Sequence, residues 1–464
     1  MIANLKPYPA MKDSGVPWLG RVPGHWHLRA VRHVTRPAKG KQPKTLYSEQ
    51  GAPARAQLYL TMECLRGHKG SAKVYCVPDG LITAVKGDVL LLWDGANAGE
   101  FFIAKDGVVS STAALLPIAG YDRRYLYFML RQCEPRLRAF STGMGIPHVD
   151  GGILKQLKIC IPPSGEQAAI VRFLDWANGR LERAIRAKRK VIALLNEQKQ
   201  AIIHRAISRG LNPSVPLKSS GILWLGDIPQ HWEVLRSKYI YSEVDVRSAT
   251  GQETHFSMSQ RFGLIPSSHI EAKRLVSESY AGAKLCQRGD LVLNRLKAHL
   301  GVFALAPESG LVSPDYTVLH AVREVDERFF EAVYRTPACR IELRQRAKGI
   351  VQGFWRLYTD DFYDIRVPVP PVDEQKRIMT QLDIDLSGLK TTISRLEREI
   401  DLLLEYRTRL IADLATGKLD VREVATRLPE EADEPEALCE TEVESEAVET
   451  DASDIDEVPE EAEA

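Results

Sequence analysis

The sequence predicts an α+β protein with two globular domains of mixed β and α structure, joined by two long helices that pair as an antiparallel coiled coil. Three observations predict this class. A fifteen-residue block occurs twice, a β-rich region follows each copy, and a heptad repeat follows each β-rich region. The 464 residues are 44% hydrophobic and 27% charged, which is typical of a globular protein with more than one core.

A turn-rich block opens each half. Residues 12–26 read KDSGVPWLGRVPGHW and residues 218–232 read KSSGILWLGDIPQHW, with nine of fifteen positions identical. Tryptophan in such a setting is more often a packing residue than a ligand contact. We therefore expect the block to be a packing element, whose tryptophans are Trp18, Trp26, Trp224 and Trp232.

A β-rich region comes next. Residues 85–99 (VKGDVLLLWDGANAG) align with residues 287–301 (QRGDLVLNRLKAHLG), and each predicts a strand that starts after Gly-Asp and continues into a polar loop. Residues 109–116 and 312–319 each predict a further strand.

A third shared block closes each globule. Residues 157–163 (LKICIPP) and 365–371 (IRVPVPP) predict strands that Pro-Pro ends. A long helix follows each of them. Ser164 with Gln167 fits a capping box at the first helix start, and Asp373 fits an N-cap at the second.

The two helices are predicted by apolar residues that recur every 3.5 positions. In the second helix these residues are Leu382, Leu386, Leu389, Ile393, Leu396, Ile400, Leu403, Leu410 and Leu414, with Arg407 intruding. The same register 208 residues earlier gives Leu174, Leu181, Ile185, Ile192, Leu195 and Ile202, with the polar intrusions Asn178, Lys188 and Lys199. Gly210 and Gly417 suit the left-handed position after a helix end. Each helix would span about 45 residues, or roughly 65 Å. Antiparallel pairing would relate the halves by a pseudo-twofold axis and place the globules at opposite ends of a rod.

The formal net charge of +1 hides an uneven distribution. Residues 430–464 contain 17 acidic residues and no Lys or Arg, so the first 429 residues contain 62 basic and 44 acidic residues, a net charge of +18. A body this basic is typical of a protein that binds a polyanion. The composition of the acidic tail favours disorder.

Motifs for catalysis do not occur in the sequence. There is no GxxxxGK[ST] phosphate loop, no HExxH cluster and no metal-ligand spacing among the seven cysteines, whose scatter favours a reduced cytosolic setting. The two Pro-Pro pairs lack the preceding Asn or Asp of an adenine-methyltransferase site. No apolar run is long enough to cross a membrane. The pattern favours a reader of nucleic acid without a catalytic site or a bound metal.

Candidate DNA-binding residues lie in two loops of each half, one after the Gly-Asp strand and one before the Pro-Pro block. Arg and Lys donate to guanine in the major groove, and Asn and Gln pair with adenine. In the first half the candidates are Trp93, Asp94, Asn97, Thr142, Met144 and His148. In the second half they are Asn294, Arg295, Lys297, His299, Lys348, Gln352, Trp355 and Arg356. The flanking scaffolds match and the loops differ, as two readers of different sequences would require. For any single residue, the alternative is a solvated loop side chain.

These features, in the same order twice, resemble the specificity subunits of type I restriction–modification systems. The resemblance is carried by the SGxxWLGxxPxHW openings, the Gly-Asp strands, the PPxxEQ helix starts, and the helix exits at residues 205–213 (RAISRGLNP) and 414–422 (LATGKLDVR). It covers residues 12–422. The acidic tail and the polar residues in the first heptad seam depart from it.

The resemblance implies target-recognition domains at residues 1–163 and 211–371, each reading one half of a bipartite, asymmetric DNA site. Spacer helices at 164–210 and 372–418 would set the unread spacer, followed by a C-terminal segment at 419–464. The implied partners of this noncatalytic cytoplasmic chain are double-stranded DNA and two modification subunits, which hold S-adenosylmethionine and methylate adenine N6. Restriction subunits that use ATP and Mg²⁺ join them in phage-defence systems that cleave.

Two other interpretations remain open. The chain could be a free-standing sequence-specific DNA endonuclease or methyltransferase, which the missing catalytic motifs disfavour. It could instead be a coiled-coil scaffold that never contacts DNA, which the basic body disfavours. A steep dependence of DNA affinity on salt distinguishes a DNA reader from such a scaffold.

Overall fold

The computed structural model describes residues 5–67, 72–140, 147–259, 262–269, 280–351 and 354–429. These residues form two compact units. The first unit contains the chain up to Lys188 together with the described residues from Arg398 onward, and the second unit contains Arg189–Glu397. The long helices α5 (Ser164–Arg209) and α9 (Val372–Ala415) each contribute residues to both units.

The first unit combines short strands with four helices before α5. Its strands are β1 (Met11–Asp13), β2 (Arg21–Pro23), β3 (His27–Ala30), β4 (Ala38–Lys39), β5 (Tyr47–Ser48), β6 (Gln57–Leu60), β7 (Val74–Cys76), β8 (Thr83–Ala84), β9 (Val89–Leu92), β10 (Phe101–Ile103), β11 (Gly107–Val109), β12 (Ala113–Leu116) and β13 (Lys158–Ile161). Its helices are α1 (Met62–Arg66), α2 (Arg123–Arg131), α3 (Glu134–Ala139) and α4 (Gly151–Gln156), and α10 (Arg422–Thr426) follows α9.

The second unit repeats much of this plan. Its strands are β14 (Leu217–Ser219), β15 (Asp227–Pro229), β16 (Glu233–Arg236), β17 (Tyr241–Val244), β18 (Phe256–Ser259), β19 (Gly263–Pro266), β20 (Lys284–Cys286), β21 (Leu291–Asn294), β22 (Phe303–Leu305), β23 (Gly310–Val312), β24 (Tyr316–Ala321), β25 (Lys348–Val351), β26 (Phe354–Arg356) and β27 (Arg366–Val369). Its helices are α6 (Glu327–Tyr334), α7 (Pro337–Arg346) and α8 (Thr359–Tyr363).

The Gly-Asp strands β9 and β21 occupy equivalent places in two four-stranded antiparallel sheets. The strand order is β10-β9-β12-β4 in the first unit and β22-β21-β24-β17 in the second. The strand before each Pro-Pro pair forms a two-stranded ladder with the strand after the opening block, β13 with β3 and β27 with β16. Both strand predictions are confirmed.

The prediction of one continuous strand at 109–116 and another at 312–319 is wrong. Each stretch ends one strand and begins another, β11 then β12 and β23 then β24. A turn separates them, closed by the Ala113 amide on the Ser110 carbonyl (3.0 Å) and by the Tyr316 amide on the Ser313 carbonyl (3.0 Å). The apolar residues continue across the turn because both strands are buried, so hydrophobicity alone does not mark the break.

The glutamine of each PPxxEQ motif joins the helix start to the globule. Gln167 donates to the Pro162 carbonyl (2.9 Å) and accepts from the Asp122 amide (2.8 Å). Gln375 makes the same pair of bonds, to the Pro370 carbonyl (2.8 Å) and from the Asp326 amide (2.9 Å). The prediction of a capping box at Ser164 and Gln167 is therefore wrong, because the side-chain amide of Gln167 bonds to Pro162 and Asp122. Asp373 lies one residue inside α9 and is a first-turn acid, not the N-cap.

The glutamate of each motif holds the opening block. Glu166 accepts from the indole of the fully buried Trp26 (2.9 Å) and from the Tyr8 hydroxyl (3.2 Å), and its other oxygen lies 2.7 Å from His25 Nε2. Glu374 lies 2.8 Å from His231 Nε2. The packing role expected for the tryptophans is confirmed at Trp26 and Trp232, both of which are fully buried, while Trp18 and Trp224 pack at the core edges.

The long helices run antiparallel within each unit. In the first unit, Lys188 Nζ lies 2.6 Å from Glu399, and Arg407 lies 3.5 Å from Glu182. In the second unit, Ile207 near the end of α5 shares a core with Leu382 near the start of α9. Each helix thus begins in one unit and ends in the other, as the heptad register predicts.

The predicted seam residues are all buried or half-buried. Those with less than 9% exposure are Leu174, Leu181, Ile185, Leu382, Leu386, Ile400, Leu410 and Leu414. The half-buried ones are Ile192, Leu195, Ile202, Leu389, Ile393, Leu396 and Leu403. Among the polar intrusions, Lys188 is paired, and Asn178 is 3% exposed with no partner for its Oδ1 among the described residues.

Both helices end where glycine was expected. Gly210 (φ +70°) and Gly417 (φ +76°) adopt the left-handed conformation that closes a helix. Gly417 packs against Pro23 and Trp26, and Gly210 against Trp232. The end of each helix therefore contacts the opening block of the globule in its own unit. No described helix is long and apolar enough to cross a bilayer.

Candidate functional site

The two candidate loops of each half lie side by side. In the first unit the Val149 amide donates to the Trp93 carbonyl (2.9 Å), and in the second the Leu357 amide donates to the Arg295 carbonyl (3.0 Å). Trp93 and Arg295 hold the same place after the Gly-Asp strands, and Val149 and Leu357 the same place before the Pro-Pro blocks. One equivalent backbone bond therefore joins residues that lie far apart in sequence into a single surface in each unit.

In the first unit this surface is anchored by a short backbone bridge. Asp94 pairs with His148 in an antiparallel bridge, and the Gly95 amide donates to the Pro147 carbonyl (2.9 Å). The Asp94 carboxylate also lies 2.6 Å from the Lys39 ammonium on β4. Asp94 is thus held in place and partly neutralised, which limits its repulsion of a nearby anion.

The remaining candidates of the first unit differ in exposure. Asn97 is exposed in the turn after β9. Trp93 is half-buried, with its ring held against Gly151 at the start of α4, where an added Cβ would lie 3.4 Å from ring atoms. Thr142 and Met144 lie outside the described residues.

In the second unit Asp315 ties the two loops together. Arg295 donates from Nε to the Asp315 carbonyl (3.0 Å), and Arg356 Nη2 lies 3.4 Å from the Asp315 carboxylate. The Nε of Arg356 is buried and has no acceptor among the described residues. The Arg356 side chain is 28% exposed, so other N–H groups of its guanidinium can donate to an acceptor from outside the chain.

A hairpin of β25 and β26 adds aromatic and basic groups to this loop pair. Trp355 is 42% exposed, which is unusual for so large an apolar side chain. The Lys348 ammonium lies 5.5 Å and the Arg356 guanidinium 5.9 Å from the ring centre of Tyr358, both within cation–π range. Lys348 also pairs with Asp361 at 2.8 Å. Gln352 lies outside the described residues.

Asn294 is placed as a turn residue and not as a surface donor. It is 2% exposed, and its Oδ1 accepts from the amides of Leu296 (3.0 Å) and Lys297 (3.2 Å). This bonding shapes the loop that carries Lys297, which is half-buried and partnered. His299 falls in the helical turn that follows, and its side chain lies outside the description.

Both loop pairs present polar and aromatic side chains. Donors, acceptors and aromatic faces are present, and among the described residues no group of three His, Cys, Asp or Glu could hold a metal ion. The carboxyl with a strongly raised pKa in the first unit is Glu134, at about 7, because it is buried beneath β10. Its oxygen accepts from the Phe101 amide (2.9 Å), which gives it a structural role.

Sequence reasoning missed Lys39, Asp315 and Tyr358, which position the candidates. Lys39 precedes the Gly-Asp strand by about fifty residues, and only the strand pairing of β4 with β12 brings it near. Tyr358 directly follows the candidate Arg356 and could have been found as an aromatic next to basic residues.

The chain is similar to known proteins along most of its length. Residues 66–189 match the family model of the type I restriction modification DNA specificity domain. The specificity subunit of the type I restriction enzyme MjaVIII from Methanocaldococcus jannaschii is 28% identical over 429 residues, covering 87% of this chain and 95% of that protein. The EcoDI specificity subunit from Escherichia coli is 21% identical, covering 64% of this chain and 69% of that protein.

A solved chain from a study of complex assembly and conformational transition of the type I restriction–modification system has the same fold. Its TM-score is 0.59 at 14% identity, with 85% of this chain and 98% of that chain covered.

The duplicated scaffold thus holds one loop pair in each unit, and the two loop pairs differ in chemistry. The chain is similar to the specificity subunits of type I restriction–modification systems over most of its length.

Proposed function

We propose that this chain recognises a bipartite, asymmetric DNA site, with one half read by each loop pair. The target-recognition domains would be residues 1–163 and 211–371. The spacer helices, 164–210 and 372–418, would set the length of DNA that is not read, and 419–464 would form a C-terminal segment. The chain would direct adenine-N6 methylation by its partner subunits, and ATP-dependent cleavage where restriction subunits are present.

The observation that carries this proposal is the equivalent bond between the loops, from Val149 to Trp93 and from Leu357 to Arg295. The same scaffold holds a tryptophan, an acid and a histidine in one unit, and arginines, a lysine and an exposed tryptophan in the other. Arg and Lys favour guanine acceptors, whereas Asn and His allow other pairings. Two surfaces on one frame but with different chemistry support two different half-sites.

Matched substitutions in the two loop pairs test this proposal. We expect His148→Ala with Asn97→Ala to relax one half-site, and Trp355→Ala with Arg356→Ala to relax the other. The measurement is methylation-site sequencing of a host that carries the chain with its modification subunits. Each lost base contact should reduce discrimination by about 1–3 kcal/mol. Relaxation of both half-sites by either pair would contradict separate readers.

The spacer role has its own test. Inserting one heptad at matched positions in α5 and α9 lengthens both helices by roughly 10 Å. We expect a longer spacer between two unchanged half-sites. An insertion that keeps methylation but leaves the spacer unchanged would contradict this role. Replacing residues 1–160 with those of another family member should change one half-site only.

Exposed leucines on the helices support the binding of two modification subunits. Leu194 on α5 is 54% exposed, and Leu402 on α9, 208 residues later, is 59% exposed. One such residue in each unit suits two copies of the same partner. Leu194→Glu or Leu402→Glu should each yield a complex with one modification subunit, measured by mass in solution. Two bound copies in both variants would argue against this surface.

The finer biochemical setting is also part of the proposal. S-adenosylmethionine would be held by the modification subunits, and ATP with Mg²⁺ by restriction subunits where they occur, in the cytoplasm. Incubating the purified chain with DNA and Mg²⁺, with and without S-adenosylmethionine, tests the alternative of a free-standing endonuclease or methyltransferase. We expect no cleavage and no methylation until modification subunits are added.

A further inference from the structure

A short basic stretch of the first unit lies beside the loop that follows β9. Residues 39–44 read KGKQPK and contain three lysines and no acidic residue. Lys39, Lys41 and Lys44 are all exposed. The Lys39 ammonium lies 2.6 Å from the carboxylate of Asp94, which belongs to the first loop pair. The other two lysines have no carboxylate within 4 Å among the described residues, so two cations of the stretch lack an ion pair.

Hydrogen bonds hold this basic stretch against the turn between β11 and β12. The Gly40 amide donates to the Ala113 carbonyl (2.9 Å), and the Ser111 hydroxyl donates to Gln42 Oε1 (3.0 Å). Glycine is required at this approach, because a Cβ added at Gly40 would overlap the Ser110 carbonyl oxygen. The lysine between Gly40 and Gln42 therefore projects from a backbone that is fixed on both sides.

The same turn also holds the loop that carries the candidate DNA contacts. The Thr112 carbonyl accepts from the amides of Trp93 (2.7 Å) and Asp94 (3.1 Å). Thr112 directly follows Ser111, which bonds to the basic stretch, and the Cα atoms of such neighbours lie about 3.8 Å apart. The unpaired lysines are therefore adjacent to the candidate base contacts of the first unit.

Strand pairing identifies the equivalent place in the second unit. Ala38 of β4 pairs with Leu115, and Val244 of β17 pairs with Val318. On their other side, Leu115 and Val318 each pair with the second residue of the Gly-Asp strand. The residues that follow Ala38 and Val244 therefore correspond, and the basic stretch is equivalent to residues 245–250.

In the second unit this place is neutral. Residues 245–250 read DVRSAT, so an acid, an arginine and a threonine stand where the first unit has its three lysines. The acid and the arginine, Asp245 and Arg247, form an ion pair at 3.1 Å. Unpaired positive charge thus flanks the loop pair of the first unit and is missing from the same place in the second.

Resting on the proposed function, we propose that Lys41 and Lys44 contact the phosphate backbone of DNA beside the half-site read by the first loop pair. The major groove is only about 12 Å wide, so phosphates lie close to any base edge that the loop reads. DNA is favoured over an acidic protein segment because the lysines adjoin the candidate base contacts. Phosphate contacts position a protein on DNA without reading its sequence. The first unit then supplies a larger share of the sequence-independent affinity.

The test measures how the DNA affinity of the full chain, in complex with its modification subunits, depends on salt. In Lys41→Gln with Lys44→Gln, the plot of log affinity against log salt should become shallower by about 1.8, or about 0.9 for each lost phosphate contact. At about 0.1 M salt, affinity should fall roughly 10–100-fold for the target duplex and for an unrelated duplex alike. The methylated sequence should stay the same.

Two controls separate this contact from a general effect of charge. Asp245→Asn with Arg247→Gln removes the ion pair at the equivalent place, keeps the net charge and should leave the slope unchanged. Arg55→Gln with Lys73→Gln removes two positive charges elsewhere in the first unit, where each cation lies near a carboxylate, at 3.3 Å and 3.6 Å. It too should keep the slope. A fall as large as that of the lysine variant would assign the effect to net charge and overturn the site.

A conservative variant guards against a folding effect. Lys41→Arg with Lys44→Arg keeps both charges and should keep the slope and the affinity of the unchanged complex. A loss equal to that of the glutamine variant would overturn the phosphate contacts. Weaker binding of the modification subunits by the glutamine variant, with an unchanged salt slope, would assign the lysines to a protein interface and overturn them too.

The unchanged complex distinguishes failure of this site from failure of the proposed function. If it methylates a bipartite site and binds DNA in a salt-dependent way, an unchanged slope in the glutamine variant strikes the phosphate contacts alone. If the unchanged complex shows no salt-dependent DNA binding, the proposed function fails and not only this site.

Discussion

The opening blocks of the two units share a sequence but differ in how they are held. In the first unit, Glu166 accepts from Trp26 and Tyr8, contacts His25, and lies 3.6 Å from Arg422. In the second unit the carboxylate of Glu374 contacts His231, and the indole N–H of Trp232 has no acceptor among the described residues. The same motif therefore carries more polar bonds in the first unit.

The difference follows from how each helix end meets its block. In the second unit the chain runs continuously from Gly210 into β14. In the first unit the same junction is noncovalent, with the Asp420 amide donating to the Lys6 carbonyl at 2.8 Å. Tyr8 and Arg422 come from the two sides of that junction and meet at Glu166. A duplicated scaffold can thus replace a peptide connection by a group of charge-assisted hydrogen bonds.

The helix-ending glycines give the largest expected difference between the units. An added Cβ at Gly417 would lie 2.4 Å from Pro23 Cδ and 2.8 Å from the Trp26 ring, whereas at Gly210 the nearest atoms lie at 3.2 Å. Both positions are left-handed, so alanine costs about 1 kcal/mol at each. Overpacking should raise the cost of Gly417→Ala to about 3 kcal/mol.

Urea unfolding of the full chain measures the two costs. Gly388→Ala, in the interior of α9 with no atom within 4 Å of the added Cβ, is the control and should be neutral or stabilising. Equal losses at Gly417 and Gly210 would show that strain at the left-handed position outweighs packing.

The buried tryptophans give the next largest difference. Trp26→Phe and Trp232→Phe remove the same volume from two fully buried positions. Only Trp26 also loses a hydrogen bond to a carboxylate, at 2.9 Å. Because bonds to charged groups are worth about 1.5–3 kcal/mol, Trp26→Phe should cost roughly 2 kcal/mol more. The difference between the unfolding midpoints of the two variants measures this extra cost. The difference should shrink when both variants also carry Glu166→Gln. A difference that persists there would assign the effect to packing.

The sequence predicted the parts of this fold that depend on local pattern. The duplicated blocks, the heptad seams, the strands after Gly-Asp and the left-handed glycines at 210 and 417 all follow from spacing. The role of Gln167 did not follow, because the capping-box pattern shows only a local partner. The contact it makes, with Asp122, lies 45 residues away.

The sequence predicted which two loops of each half form the candidate site. It did not predict how the side chains of those loops are arranged. That Asp94 would face His148 depends on tertiary pairing across more than fifty residues. Asn294 has a side chain that could pair with adenine. Because it lies at the end of a buried strand, however, its Oδ1 accepts from the Leu296 amide in the turn that follows.

The last expected difference between the units concerns pH. Phe101 and Phe303 are equivalent residues, but the Phe101 amide donates to the buried Glu134 carboxyl and the Phe303 amide to the Gly301 carbonyl. Burial raises the pKa of Glu134 from 4.5 to about 7, against the opposing effect of Arg131. The folded state therefore binds a proton more tightly than the unfolded state. This contribution to stability is complete below about pH 4.5 and is lost as the pH rises through 7.

Glu134→Gln keeps an acceptor for the Phe101 amide and removes the titrating group. We expect the variant to gain stability over the unchanged protein as the pH rises from 5 to 8, because only the unchanged protein must release the proton of Glu134 in this range. The measurement is hydrogen exchange, in the variant and in the unchanged protein, at peptides that cover β10 in the first unit and β22 in the second. The protection of the variant relative to the unchanged protein should rise with pH at β10 and stay constant at β22. A parallel change at β22 would mean that the pH response belongs to the shared scaffold and not to Glu134.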